Sequence, residues 1–264
     1  RKNNMTATEK TLDIRRPSKW VAEVWLNRPD VRNAFNDSVI AELTEAFQIL
    51  SKDNDLRAIV LSAHGKAFCA GHDLREMRAE PSMDYYQKLF AQCGHMMLSI
   101  QKLQVPVIAK VQGIATAAGC QLVAQCDLAV ASADAKFAVS GVNLGLFCST
   151  PSVALSRNLS RKAAFEMLVT GDFLSAQEAL NQGLINKIAD SDKLDEVLDS
   201  LVQKILAKPP VALAMGKELF YMQLETGIEK AYEYATQTMA CNMMDNSALE
   251  GVQAFIEKRK PNWR

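Results

Sequence analysis

An α/β fold follows from three features of the chain. Short apolar runs rich in β-branched residues alternate with stretches whose apolar positions recur at helical spacing. Two of these runs pass through glycine- and alanine-rich turns straight into helix-like sequence. Beyond Pro209-Pro210 the chain reads as helix almost to its end. Strands buried on both faces give such continuous runs, and parallel neighbours need a crossover, usually a helix.

Along the chain, Trp20–Leu26 predicts a strand, closed by Asn27-Arg28-Pro29. Val39, Ile40, Leu43, Ala46, Phe47 and Leu50 fall on one face of a helix, with Asp37 or Ser38 as its N-cap. Ile59–Leu61, Val105–Val111 and Asp127–Ser132 read as further buried strands. Past about Phe165 the character changes. Ser175 with Glu178 makes a capping box for a short helix, and Gly183 stops it. Leu194, Val197, Leu198, Leu201 and Ile205 form an amphipathic stripe, and Ser247 with Glu250 offers a second capping box. Met215, Met222, Met239, Met243 and Met244 stud the tail as adaptable packing residues. Residues 1–200 are therefore expected to form the core and 201–264 a helical assembly region.

Composition narrows the function classes. Lys and Arg number 30, as do Asp and Glu, so the 264-residue chain is formally neutral. Nucleic-acid binding led by phosphate contacts needs a basic surface, and no nucleic-acid partner is expected. With 48% hydrophobic and 23% charged residues, a disordered or low-complexity chain is excluded. The six cysteines include no C-x-x-C pair, so they read as small buried hydrophobes in a reducing compartment, without a metal. No apolar run is long enough for a membrane span. Arg1–Asn4, ahead of Met5, resembles neither a signal nor a transit peptide. The expected setting is the cytoplasm, or the mitochondrial matrix where a transit segment has been removed.

The chemistry concentrates in two runs. Gly65–Leu74 (GKAFCAGHDL) and Gly113–Asp127 (GIATAAGCQLVAQCD) each lead from a strand through small residues into a helix. Small residues admit close approach of a ligand to the backbone, and the first N–H groups of a helix have no internal partner. Two such turns on neighbouring strands could each aim one N–H at the same developing oxyanion. The same pattern also serves as ordinary helix–strand packing.

Leu26–Ala34 (LNRPDVRNA), Ala67–Leu74 (AFCAGHDL), Pro106–Gly113 (PVIAKVQG) and Ala118–Leu122 (AGCQL) resemble the enoyl-CoA hydratase/isomerase (crotonase) superfamily. So do Cys126-Asp127, Leu168–Gly171, Ser175–Ala179, Gly183-Leu184 and Phe255–Lys260 (FIEKRK), in family order across nearly the whole chain. The resemblance implies a crotonase-like spiral of ββα units with a C-terminal helical trimerisation region, as a trimer or a dimer of trimers. It implies an acyl-coenzyme A thioester as substrate and no permanently bound cofactor. The oxyanion N–H groups map onto His72 and Ala118. Coenzyme A contacts map onto Arg32, Ala34, Lys66, Ala70, Asp73, Leu74, Phe255 and Lys258. Lys258, Arg259, Lys260 and Arg264 form a local basic cluster suited to phosphates, or simply a solvated chain end.

The resemblance does not extend to the two glutamates by which family hydratases activate water. Gln121 stands at the first position and Gly141 at the second. Gln has no acid–base equilibrium near neutral pH and Gly has no side chain, so neither replaces a general acid or base. Many family isomerases carry an acid slightly further on, where this chain has Cys148-Ser149-Thr150. Gln121, Asn143, Cys148 and Ser149 are thus the candidates to line the acyl end, with Gly141 beside them. Gly71-His72-Asp73 with Val142–Gly145 is similar to methylmalonyl-CoA decarboxylases of the superfamily, which keep the first glutamate and have Tyr at position 148. Three readings stay open: an acyl-CoA lyase or isomerase working by enolate stabilisation, a malonyl-type decarboxylase, and a catalytically silent acyl-CoA binder. The His72 imidazole is a possible donor, whereas His64 and His95 read as a loop and a helix-face residue. A carboxylate arriving from Glu76 or Glu80 would restore the hydratase reading.

Overall fold

The computed structural model describes residues 10–263; Arg1–Met5 and Arg264 lie outside them. The chain opens with an antiparallel pair, β1 (Leu12–Ser18) and β2 (Val21–Leu26). The sequence reading missed β1 because it is an edge strand with only Leu12 buried, so it carries no apolar alternation. A 3-10 turn at Pro29–Val31 leads to α1 (Asp37–Leu50), whose six buried residues are the stripe read from the sequence. Its cap is Asn36 rather than Asp37 or Ser38. Asn36 keeps an extended backbone and its Oδ1 accepts the Val39 N–H at 3.0 Å.

The chain then repeats one pattern. It lays β3 (Ala58–Ala63) in a large sheet and β4 (Ala67–Cys69) in a small one, then crosses back through α2 (Leu74–Ala79) and α3 (Met83–Lys102). β5 (Val107–Val111), β6 (Ile114–Thr116) and α4 (Ala118–Gln125) repeat it. So do β7 (Leu128–Ser132), β8 (Lys136–Ala138), a 3-10 turn at Ser140–Leu144, α5 (Ser149–Asn158) and α6 (Arg161–Thr170). β9 (Leu174–Ser175), α7 (Ala176–Gln182) and β10 (Lys187–Ala189) close the spiral. The large sheet runs β1-β2-β3-β5-β7-β10, parallel except for β1, and the small one β4-β6-β8-β9. β4, β6 and β8 have three residues each, too few to show a period, so the sequence revealed only their partners in the large sheet.

The main core fills the space between the sheets and α1, α3 and α4, around Phe35, Phe47, Phe68, Phe137, Met96 and Ile100. On the opposite face of the large sheet, Val60, Ile108 and Val130 pack on α8 (Leu194–Leu206) through Leu194, Leu198 and Val202. α8 thus crosses residue 200 while still on the sheet, and the chain leaves it at Pro209. Three helices follow: α9 (Pro210–Leu224), α10 (Ile228–Met243) and α11 (Asn246–Ile256). The capping box at Ser175 forms as read, with Gly183 left-handed at φ 87°. The second box does not form. Asp245 caps α11 by accepting the Ser247 N–H at 2.8 Å, and Glu250 instead accepts from Arg259. Among the described residues no helix is long and apolar enough to cross a membrane.

Candidate active site

The β4–α2 turn and the β6–α4 turn meet face to face. Gly71 lies at φ +93°, and a Cβ there would stand 2.8 Å from the Ala117 Cβ and 3.4 Å from the Ala118 nitrogen. A side chain on Gly119 would run into the Cys69 carbonyl, so α4 sits directly on β4. Neither the His72 nor the Ala118 N–H donates a hydrogen bond among the described residues. Ala118 is the first residue of α4, where an N–H has no partner within the helix. Both predicted N–H groups are therefore free and on abutting turns.

A frame of hydrogen bonds fixes the first turn. Phe35 donates its N–H to the Gly71 carbonyl at 2.7 Å and accepts from the Asp73 N–H at 2.7 Å. The Ala70 N–H bonds the Arg32 carbonyl at 3.0 Å, and Thr116 Oγ1 donates to the Ala70 carbonyl at 3.1 Å. Beneath it Asn33, buried and left-handed at φ 55°, gives its amide N–H groups to the carbonyls of His64 and Ala67. Arg28 reaches the Ala34 carbonyl at 2.7 Å and Asp73 Oδ2 at 3.3 Å. Sequence reasoning missed Arg28, Asn33, Phe35 and Thr116. Asn33 was the one with a signal, since Asn is among the few residues that tolerate the left-handed region.

The expected coenzyme A residues divide by position. Arg32, Lys66 and Leu74 are exposed around the first turn, while Ala34 is buried and Ala70 half-buried. Asp73 is committed to structure, because its Oδ1 caps α2 and its Oδ2 pairs with Arg28. Phe255 and Lys258 are exposed near the end of the chain, and among the described residues no hydrogen bond or ion pair joins α11 to either turn. Arg259 is taken by Glu250 and Glu257, which removes it from the expected basic cluster. Arg264 of that cluster lies outside the described residues.

At the acyl end, Gln121 is buried and its Oε1 has no partner among the described residues. Gly141 is closed: a Cβ would strike the Leu146 carbonyl and come 2.7 Å from Cys148 Sγ. Cys148 instead fills that space, its sulfur accepting the Gly141 N–H at 3.3 Å, and burial pushes its thiol up. Substitution of Glu alone could not rebuild a carboxylate there. Asn143 does not join this group; its amide lies against Gly171 at the end of α6. Glu76 accepts the Asp37 N–H and Glu80 is exposed at the end of α2. His64 stacks on Trp25, and His95 is exposed on α3. The His72 ring is held between Phe35 and Phe90, and burial pulls its imidazole down to about 4, against the opposing charge of Asp37. An apolar groove of about 720 Å³ between α5 and α6 shares no residue with either turn. No group of metal-ligating side chains occurs among the described residues.

The sequence profile described as enoyl-CoA hydratase/isomerase matches residues 16–264. The chain belongs to the enoyl-CoA hydratase/isomerase family. It is 42% identical over 256 residues to the rat protein named enoyl-CoA hydratase domain-containing protein 3, mitochondrial, with 97% of this chain and 85% of that one covered. A crystal structure titled enoyl-CoA hydratase, from Mycobacterium smegmatis, is 62% identical, with a TM-score of 0.95 and coverage of 97% and 99%. The crystal structure of human enoyl-CoA hydratase domain-containing protein 3 superposes with a TM-score of 0.91 at 42% identity, covering 96% and 100%. Family membership fits the spiral of paired strands and the two abutting turns. Enzymes of this family process acyl-CoA thioesters.

Proposed function

We propose that the chain binds an acyl-coenzyme A thioester and polarises its carbonyl with the N–H groups of His72 and Ala118. The observation that carries this reading is the pair of unpartnered N–H groups on turns locked together at Gly71 and Ala117. A thioester oxygen gains charge when its substrate becomes an enolate, and one preorganised donor is worth about 3–4 kcal/mol in that state. Arg32, Lys66 and Leu74 form an exposed rim on which the coenzyme A portion rests, with the backbone of Ala70 beside it. Phe255 and Lys258 reach such a ligand from another copy of the chain, in a trimer or dimer of trimers. A compartment that keeps thiols reduced, the cytoplasm or the mitochondrial matrix, suits six cysteines without a disulfide.

Two-carboxylate hydration does not suit this acyl end. Gln121 has no acid–base equilibrium near neutral pH, and the space at Gly141 belongs to Cys148. Enolate stabilisation without a strong base is the chemistry that remains.

The test uses an enoyl-CoA thioester conjugated to an aryl ring. Two N–H donors on its carbonyl should move its absorption band to the red on binding, whether or not turnover occurs. Crotonyl-CoA should be hydrated about 10²–10⁴-fold more slowly than by an enzyme with both carboxylates. Binding without a band shift would remove the oxyanion reading.

A further inference from the structure

α11 ends in a turn that a lysine completes. The Lys258 N–H bonds the Phe255 carbonyl at 3.2 Å, and the Arg259 N–H bonds the Ala254 carbonyl at 3.0 Å. This pair of bonds closes a helix around one left-handed residue, a place that glycine usually fills. Here Lys258 takes it, at φ 57°. A side chain in that region is strained and persists only where the surroundings hold it.

The chain beyond Lys258 supplies that hold. Glu250 receives Arg259 in a fork of two bonds, at 2.6 and 2.9 Å, and accepts the Asn262 N–H at 2.8 Å. Arg259 also reaches Glu257 at 2.6 Å. These partners lower the Glu250 carboxyl to about 2, so it stays charged near neutral pH. The Trp263 ring then lies against α11 at Gly251, where a Cβ would stand 2.9 Å from its Cη2. Glycine weakens a helix interior, and this packing is what the glycine at 251 permits. Arg259 is consumed by the clamp, while Lys258 and Lys260 are exposed and form no ion pair among the described residues. An ammonium on a fixed turn loses less freedom on meeting a phosphate than one on a loose chain.

We infer that Glu250, Gly251 and Trp263 are positioning residues that fold the chain back on α11 and so present Lys258 to a phosphate of coenzyme A. This inference rests on the reading above in which Lys258 reaches the ligand.

Calorimetric titration of the full chain with coenzyme A, at low and at raised salt, tests it. Lys258→Ala should weaken binding about tenfold and flatten its salt dependence. Trp263→Ala frees the tail and should cost severalfold, with part of the same flattening. In the Lys258→Ala background it should cost little more, a coupling that a merely structural role would not produce. Gly251→Ala favours the helix yet drives a methyl group into Trp263, so it should repeat the loss in a chain that stays folded. An equal loss from Trp263→Ala in both backgrounds, or full affinity in both the Trp263→Ala and Gly251→Ala variants, would overturn the inference alone. Wild-type affinity and salt dependence in Lys258→Ala would remove the underlying reading of Lys258, and this inference with it.

Discussion

Ala117 sits at φ 50° and ψ −119°, a backbone conformation that side chains other than glycine's rarely occupy. The neighbouring turn holds it there, because Gly71 leaves room for its methyl group and its N–H bonds the Ala138 carbonyl at 2.9 Å. Strain of this kind costs about 1–3 kcal/mol, and glycine in the unfolded chain gives back about 0.4–1 kcal/mol of it. Ala117→Gly should therefore raise the thermal midpoint by about 2–4 °C. An unchanged or lower midpoint would mean that Ala117 is not strained. His72 makes a second prediction at the same scale. Burial pulls its imidazole down to about 4 from the ordinary 6.5, so from 6.5 down to 4 the unfolded chain binds the extra proton. Stability should fall across that window by about 3 kcal/mol, complete below it, and denaturant melts of His72→Phe should lack this part of the pH dependence.

Among the elements, α9 is held to the core by a buried polar cluster rather than by apolar contact alone. The Lys217 ammonium, nearly buried, donates to the carbonyls of Ile100 and Val105 at 2.9 Å each and to Asp127 Oδ2 at 2.6 Å. Tyr221 donates to Asp127 Oδ1 at 2.6 Å, and Asp127 also takes the Val107 N–H. Lys217→Met leaves the Asp127 charge uncompensated and should cost about 3–5 kcal/mol by urea unfolding, with the Lys217→Met/Asp127→Asn pair costing less. A loss below about 1 kcal/mol would show the cluster to be well hydrated. This cluster was invisible in the sequence, since its members lie on segments far apart in the chain. The helices and long strands were legible because their apolar residues recur at 3.6 or run continuously, as in α1, α8 and β3. The three-residue strands of the small sheet and the polar edge strand β1 offered no such period. At the site, the two turns could be read from their small residues and from the family resemblance. What could not be read was that Asp73 is a cap, that Cys148 fills the space at Gly141, and that Asn143 faces Gly171. Each of those depends on how a backbone bends between elements.

Over the whole molecule, several of the large apolar side chains left in water gather around one groove. Phe147, Val153, Phe165 and Val169 surround or adjoin the groove between α5 and α6, and Phe165 is 60% exposed. Ile228, Tyr232, Met239, Met244 and Phe255 add a second exposed set on the tail helices. Exposed apolar side chains around a groove suit an association face, and zero net charge offers no long-range repulsion against self-association. The helical tail that suggested an assembly region is thus only part of the surface that asks for a partner, since α5 and α6 belong to the spiral. Sedimentation at micromolar concentration should give one species heavier than a single chain. Phe165→Glu sets a charge into the apolar groove without touching either turn, so it should shift the distribution to lighter species. With Phe255 and Lys258 reaching the ligand from another copy of the chain, as proposed, the same variant should also weaken coenzyme A binding. A wild-type monomer would separate the exposed apolar faces from assembly and leave Phe255 and Lys258 without a role in the site.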